Sequence, residues 1–162
     1  MNTVGAALLD GREAFTAALR ERLTSLPAQG MQEIWLVDEQ FDGWPFDDAA
    51  VLESLGVWLR KGARRMQLIG ADFTAVARQH PRFAQWRRDY VHAIQAWQPV
   101  ECERVPLDGL LLAGNLAIEL LDRERWRARR VVDASAVRVL AERSAALLQR
   151  CESAWPLAAL GL

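Results

Sequence analysis

The sequence predicts an α/β fold, a central mixed sheet with a βαβ unit and a β-hairpin, flanked by helices. Three observations predict it. An apolar run, an amphipathic helix and a second apolar run follow one another between residues 33 and 69, the order of a βαβ unit with a parallel strand pair. The runs Leu110-Leu111-Leu112-Ala113 and Leu116 to Leu121 flank Gly114-Asn115, the pattern of a hairpin with a tight turn. Amphipathic helices at 13–26 and 134–151 lie on either side of these elements.

In chain order, Phe15, Leu19, Leu23 and Leu26 recur at helical spacing among charges, and Pro27 and Gly30 end that helix. Residues 33–37 (EIWLV) are rich in β-branched and aromatic residues and read as a buried strand with Asp38 at its exit. Asp42-Gly43-Trp44-Pro45-Phe46 is a turn-forming loop leading to Asp47 or Asp48 as N-cap of a helix over 49–61. The strand 66–69 ends at Gly70, and Asp72 can cap a helix running to Gln79. Pro81 suits the first position of a new helix extending to Val91. Residues 94–97 form a further strand, and Pro99 and Pro106 bracket an irregular or edge segment. The charge-rich stretch 122–130 reads as a solvated connector, and the apolar tail 154–162 should pack on the body or on a partner.

Composition narrows the functional classes. The chain has 162 residues, 51% of them hydrophobic and 25% charged, with two cysteines, and reads as one domain over 1–162. Folding of a domain this size removes roughly two-thirds of its unfolded surface from water, so a core forms without metal or disulfide support. Membrane spanning is not expected, for want of a long apolar run. Cys102 and Cys151 are far apart and outside any metal-ligand spacing, and the N-terminus lacks a basic leader region, so a reduced cytoplasm is the expectation. Of twenty basic residues only Lys61 is lysine; the arginines gather at 78–88 and 123–130, each group beside a Trp. A net charge of −1 argues against a general nucleic-acid binder.

Four groups of residues could carry function. His80, Arg82, Arg87, Arg88 and His92, with Asp72, could hold an anion such as a phosphate-containing small ligand near the helix start at Pro81, since guanidinium forks and free N–H groups suit oxyanions. The same arginines also read as salt-bridged surface residues, with Trp86 in the core and His80 as a cap. Asp38, Asp42 and Asp72 could converge on Mg²⁺ beyond the strand ends, but Asp42 and Asp72 serve equally as turn and cap residues, and no metal or cofactor is expected. Arg123, Arg125, Arg127, Arg129 and Arg130 surround Trp126 in a pattern that nucleic-acid binders use, but acids accompany them. Finally, Trp44 and Trp155, with Leu157, Leu160 and Leu162, are candidate contacts for a protein partner or a homodimer.

The stretches EIWLVDEQFDGWPFDD, RRMQLIGADF, HPRFAQWRR, LLLAGNLAIELLD and RCESAWPLAALGL, which cover most of the chain, resemble one half of a phospholipase D-type fold. They also resemble a proteobacterial domain of unknown function that looks like a degenerate form of that half. In active members of the superfamily a HxK(x)4D motif opens the equivalent hairpin; its His attacks phosphorus, its Lys binds the phosphoryl oxygens, and two halves pair to form one site. Here the corresponding stretch, Pro106 to Asn115, contains neither His nor Lys. The resemblance therefore implies a non-catalytic binding or interaction module that self-associates, with the Arg/His cluster as the alternative, a phosphate-ligand binder or a phosphoester-processing enzyme.

Overall fold

A computed structural model describes residues 6–100 and 105–157. The elements are β1 (Ala6–Asp10), α1 (Arg12–Ser25), β2 (Glu33–Val37), α2 (Ala49–Leu59), β3 (Arg65–Ile69), α3 (Phe73–Gln79), α4 (Pro81–Arg87), β4 (Ile94–Pro99), β5 (Leu110–Ala113), β6 (Leu116–Asp122), β7 (Arg127–Val131), α5 (Ala134–Leu148) and β8 (Cys151–Ser153). The strands form one mixed sheet in the order β1-β7-β6-β5-β2-β3-β4-β8. The pairs β2–β3 and β3–β4 are parallel; the other five are antiparallel. This is the mixed α/β architecture the sequence predicts, with the βαβ unit and the hairpin in their expected places.

Alternation along the strands divides the core in two. Ile34 and Leu36 point into a cluster with Phe15, Leu19 and Leu23 of α1, Leu55 and Trp58 of α2, and Phe83 of α4. Val37, Ile69 and Leu112 point the other way, onto Val137 and Leu140 of α5. Burial of each such large side chain contributes about 1.5–3 kcal/mol against the entropy of ordering the chain.

Helices α2, α3 and α5 begin where acids can take up their free N–H groups, whereas α1 starts after Gly11 with no side-chain cap. The Asp48 carboxylate accepts from Ala50 N at 2.9 Å and Val51 N at 3.3 Å, Asp72 accepts from Ala75 N at 3.0 Å, and Asp133 from Ala136 N at 2.9 Å. Helix α4 is capped from a distance: Phe83 N donates to the Asp47 carboxylate at 3.1 Å, whereas His80, at the cap position itself, makes no side-chain cap bond.

Three strands depart from the sequence reading. The connector 122–130 is not a solvated coil; Arg127–Val131 is β7, an inner strand between β1 and β6. Ala128 and Val131 are buried on opposite faces, while the arginines reach outward past them. The short stretch before Asp10 is β1, the edge that pairs with β7. The last helix stops at Leu148, and β8 follows on the other edge, so β4 is an inner strand with Pro99 at its last position, where a missing N–H does least harm. Helix α4 likewise ends at Arg87, followed by a 3-10 turn over Arg88–Tyr90.

The tail folds back on the body as far as it is described. Ala154 N donates to Ala96 O at 2.9 Å, and the Trp155 ring stacks on Phe73 with centroids 5.1 Å apart. No helix among the described residues is long and apolar enough to cross a membrane.

Candidate functional site

Strand β2 has a parallel neighbour, β3, on one side and an antiparallel neighbour, β5, on the other. The chain leaves the carboxyl end of β2 toward β3 and β4 and returns later on the opposite side. Connections that diverge in this way leave a crevice at the strand's carboxyl end, the usual place for a ligand in an open α/β sheet. Val37, the last residue of β2, is in register with Leu110, the first of β5, so Asp38 and the segment from Pro106 to Gly109 meet at that crevice.

On the α1 and α2 side lies a closed polar cluster. Asp38 has no exposed surface, and its carboxylate accepts from Glu39 N and from the Trp44 indole N–H, both at 2.7 Å. The Arg123 guanidinium, from the turn after β6, completes an ion pair with it. Burial pushes the Asp38 carboxyl above its ordinary pKa; the Arg123 charge and the hydrogen bonds from Arg123, Trp44 and Glu39 pull against that shift. Beside the cluster, Phe41 sits at φ 59°, and its carbonyl accepts from Trp44 N at 3.2 Å and from His80 Nε2 at 2.9 Å. Because a carbonyl only accepts, His80 Nε2–H is the donor in this contact. The loop from Asp38 to Asp48 is thereby tied to α3, α4 and the β6–β7 turn.

On the α5 side the crevice opens into a pocket of about 140 Å³ lined by Val37, Pro106, Asp108, Leu110, Glu119, Leu140, Arg143 and Ser144, among others. Glu119, 9% exposed, takes Arg129 at 2.8 Å and Arg143 at 3.8 Å. The Ser144 hydroxyl donates to Leu140 O at 2.9 Å, a bond within its own helix. The pocket therefore offers the Asp108 and Glu119 carboxylates and the Arg143 guanidinium for polar recognition. Among the described lining residues the hydroxyl is that of Ser144, whose hydrogen bond goes to Leu140 O and not to a base, and covalent chemistry needs an activated nucleophile.

No family model matches the sequence, and no curated protein does. Solved structures do match. Nuc from Salmonella typhimurium, a phospholipase D family member, superposes with a TM-score of 0.60 at 9% identity over 93% of this chain and 98% of its own. The fold is phospholipase D-like. NucT from Helicobacter pylori gives a TM-score of 0.58 at 6% identity, over 92% of this chain and 98% of its own. TrmBL2, an archaeal chromatin protein with a novel mode of DNA binding, gives 0.63 at 9% identity over 95% of this chain. This chain spans 55% of the length of TrmBL2.

Within this phospholipase D-like frame the residues singled out from the sequence are dispersed. His80 is buried against Phe41 and Phe46. Arg87, 4% exposed, lies 3.9 Å above the Trp155 ring and donates to the Trp155 carbonyl at 2.5 Å, and burial lowers its pKa. Arg82, Arg88 and His92 are exposed, and Asp72 caps α3. No common pocket gathers these six among the cavities described. Of the three aspartates considered for Mg²⁺, Asp38 is held by Arg123, Asp42 pairs with Arg12 at 3.3 Å, and Asp72 is a cap; no metal-holding group of three occurs among the described residues. Trp44 is 3% exposed in the core, so it has no surface to offer a partner, and its indole N–H serves Asp38. Trp155 is half-buried, Leu157 is 40% exposed, and Leu160 and Leu162 lie outside the described residues.

Glu119 and Arg143 were not singled out from the sequence as site residues, and Arg123 was, but only among the arginines around Trp126 and not as the partner of Asp38. Glu119 carried a readable signal, as a lone acid inside the apolar strand run Ile118-Glu119-Leu120. The pairing of Arg123 with Asp38 carried none, because the two lie 85 residues apart in the chain.

Proposed function

We propose that this chain is a non-catalytic binding or interaction module on a phospholipase D-like fold, one domain over residues 1–162, which pairs with a second copy of itself. One observation carries the reading. The segment from Pro106 to Asn115, which leads into the β5–β6 hairpin at the strand-end crevice, has no His and no Lys, and among the described residues the pocket beside it is lined by Asp108, Glu119, Arg143 and Ser144 as polar side chains. Such a pocket can recognise a polar group but cannot form a phosphohistidine. Pairing is supported by apolar surface on the α5 side of the sheet: Leu8 on edge strand β1 is 82% exposed, and Val139 of α5 is 54% exposed.

The test has two arms. Incubation with a chromogenic phosphodiester should give no turnover above buffer and no phosphorylated protein by mass spectrometry; either signal overturns the non-catalytic reading. Sedimentation equilibrium should give a dimer that Leu8→Asp or Val139→Asp converts to monomer. A monomer at all concentrations overturns the pairing.

A further inference from the structure

The opposite end of the sheet holds a second cavity, of about 250 Å³, near the β5–β6 turn and away from the strand-end crevice. Its wall carries Arg22 and Ser25 at the end of α1, Arg130 of β7, Gln29, Leu116 and Glu21. Two guanidinium groups thus line one small space, which costs Coulomb energy unless negative charge answers them. The chain answers poorly. Arg22 makes no ion pair among the described residues; one of its NH₂ groups donates to Ala113 O at 2.6 Å, and its Nε is buried without a partner. Arg130 has Glu21 at 4.0 Å, but that carboxylate is 81% exposed and so is largely screened by water. Burial lowers the pKa of Arg22, with no acid contributing an opposing shift.

We propose that this cavity is a binding site for a small oxyanion, a phosphate or carboxylate group, held between Arg22 and Arg130. Planar guanidinium groups match the oxygens of either group in paired hydrogen bonds. The Ser25 hydroxyl is already committed to Arg22 O at 2.7 Å, so the arginines and the Gln29 amide supply the donors. At about 250 Å³ the space is below the roughly 300–1,000 Å³ of pockets for drug-sized ligands, which suits a free oxyanion or the charged end of a larger molecule. The inference does not rest on the proposed function, since it uses other residues at the other end of the sheet.

Thermal melting of the intact protein at constant ionic strength tests it, with inorganic phosphate in one arm, succinate in a second and chloride as reference. At a hundred times its dissociation constant the bound anion should raise Tm by about 5–10 °C over chloride. Arg130→Gln, at a partly exposed position, should weaken binding at least about tenfold, the loss of one charge-assisted contact. Glu21→Gln, which removes the competing carboxylate, should tighten it several-fold, a change that a merely structural role for these residues would not produce. A response to phosphate alone or to succinate alone supports the site and assigns its ligand class. No shift in either arm, or unchanged binding in both variants, overturns it.

Discussion

Asp38 is the most informative single position. Replacing it with Ala removes the acceptor for the Trp44 indole N–H and Glu39 N–H, both at 2.7 Å, and leaves the Arg123 guanidinium without its partner. Breaking a buried ion pair from one side costs about 3–5 kcal/mol, because the remaining charge and donors stay out of water. For a domain of this size that loss lowers Tm by roughly 6–20 °C. Asp38→Asn keeps one accepting oxygen, for Trp44 or for Glu39 N–H, and sets its NH₂ against the donors on the other side as well as losing the charge, so it should cost about 1–3 kcal/mol. Urea unfolding followed by tryptophan fluorescence measures both. An Asp38→Ala variant no less stable than Asp38→Asn would refute the argument. Arg123→Met adds a pH test. The folded-state pKa of Asp38 is raised, so its contribution to stability is complete below its unfolded pKa and is lost as pH rises through the folded value. Arg123 opposes that shift; without it the pKa rises further, and the deficit of Arg123→Met relative to the parent should grow over the range in which pH rises from the unfolded pKa of Asp38 through its folded one. A deficit constant across that range would show that Arg123 does not act through the Asp38 charge.

Other positions make smaller claims. Asp48 has a lowered pKa, chiefly through its hydrogen bond from Arg20 at 2.7 Å, so its contribution is present above its unfolded pKa and lost as pH falls through the folded one. Asp48→Ala should cost about 1–2 kcal/mol at pH 7, as the α2 cap is lost, and less in acid, as read from urea midpoints. Gly43 has φ +81°, and a Cβ there would lie 2.7 Å from Trp126 Cη2, so Gly43→Ala should cost about 1–3 kcal/mol. Gly30→Ala meets nothing within 4 Å and should stay within about 0.5 kcal/mol of the parent by the same measurement. Trp155→Ala removes the stack on Phe73 and the ring beneath Arg87; at a half-buried position it should cost about 2–3 kcal/mol and speed amide exchange in β8.

The elements legible in the sequence share one property: their signals are local. β2, β3 and the β5–β6 hairpin are apolar runs bounded by turn residues, and Asp48 and Asp72 stand directly ahead of the helices they cap. β7 was hidden because RARRV alternates around arginines, whose long stems let an inner strand carry charge at its rim. β8 was hidden because three residues cannot declare a strand without the partner that pairs with them. The site divides in the same way. Asp38 is visible at the exit of β2, but its partner Arg123 is not, and the cap of α4 comes from Asp47 rather than from its neighbour His80.

By itself, then, the sequence determined the α/β class, the βαβ unit, the hairpin and the lack of His and Lys in the segment that leads into it. These follow from periodicity, turn chemistry and residue identity, which act over a few residues. Only the tertiary structure decided the eight-stranded order, the burial of Trp44, the folding back of Trp155 onto Arg87 and the placing of Arg22 and Arg130 along one cavity. Each of these joins segments far apart in the chain, where the free energy comes from what the sheet brings into contact rather than from any property of the segment alone.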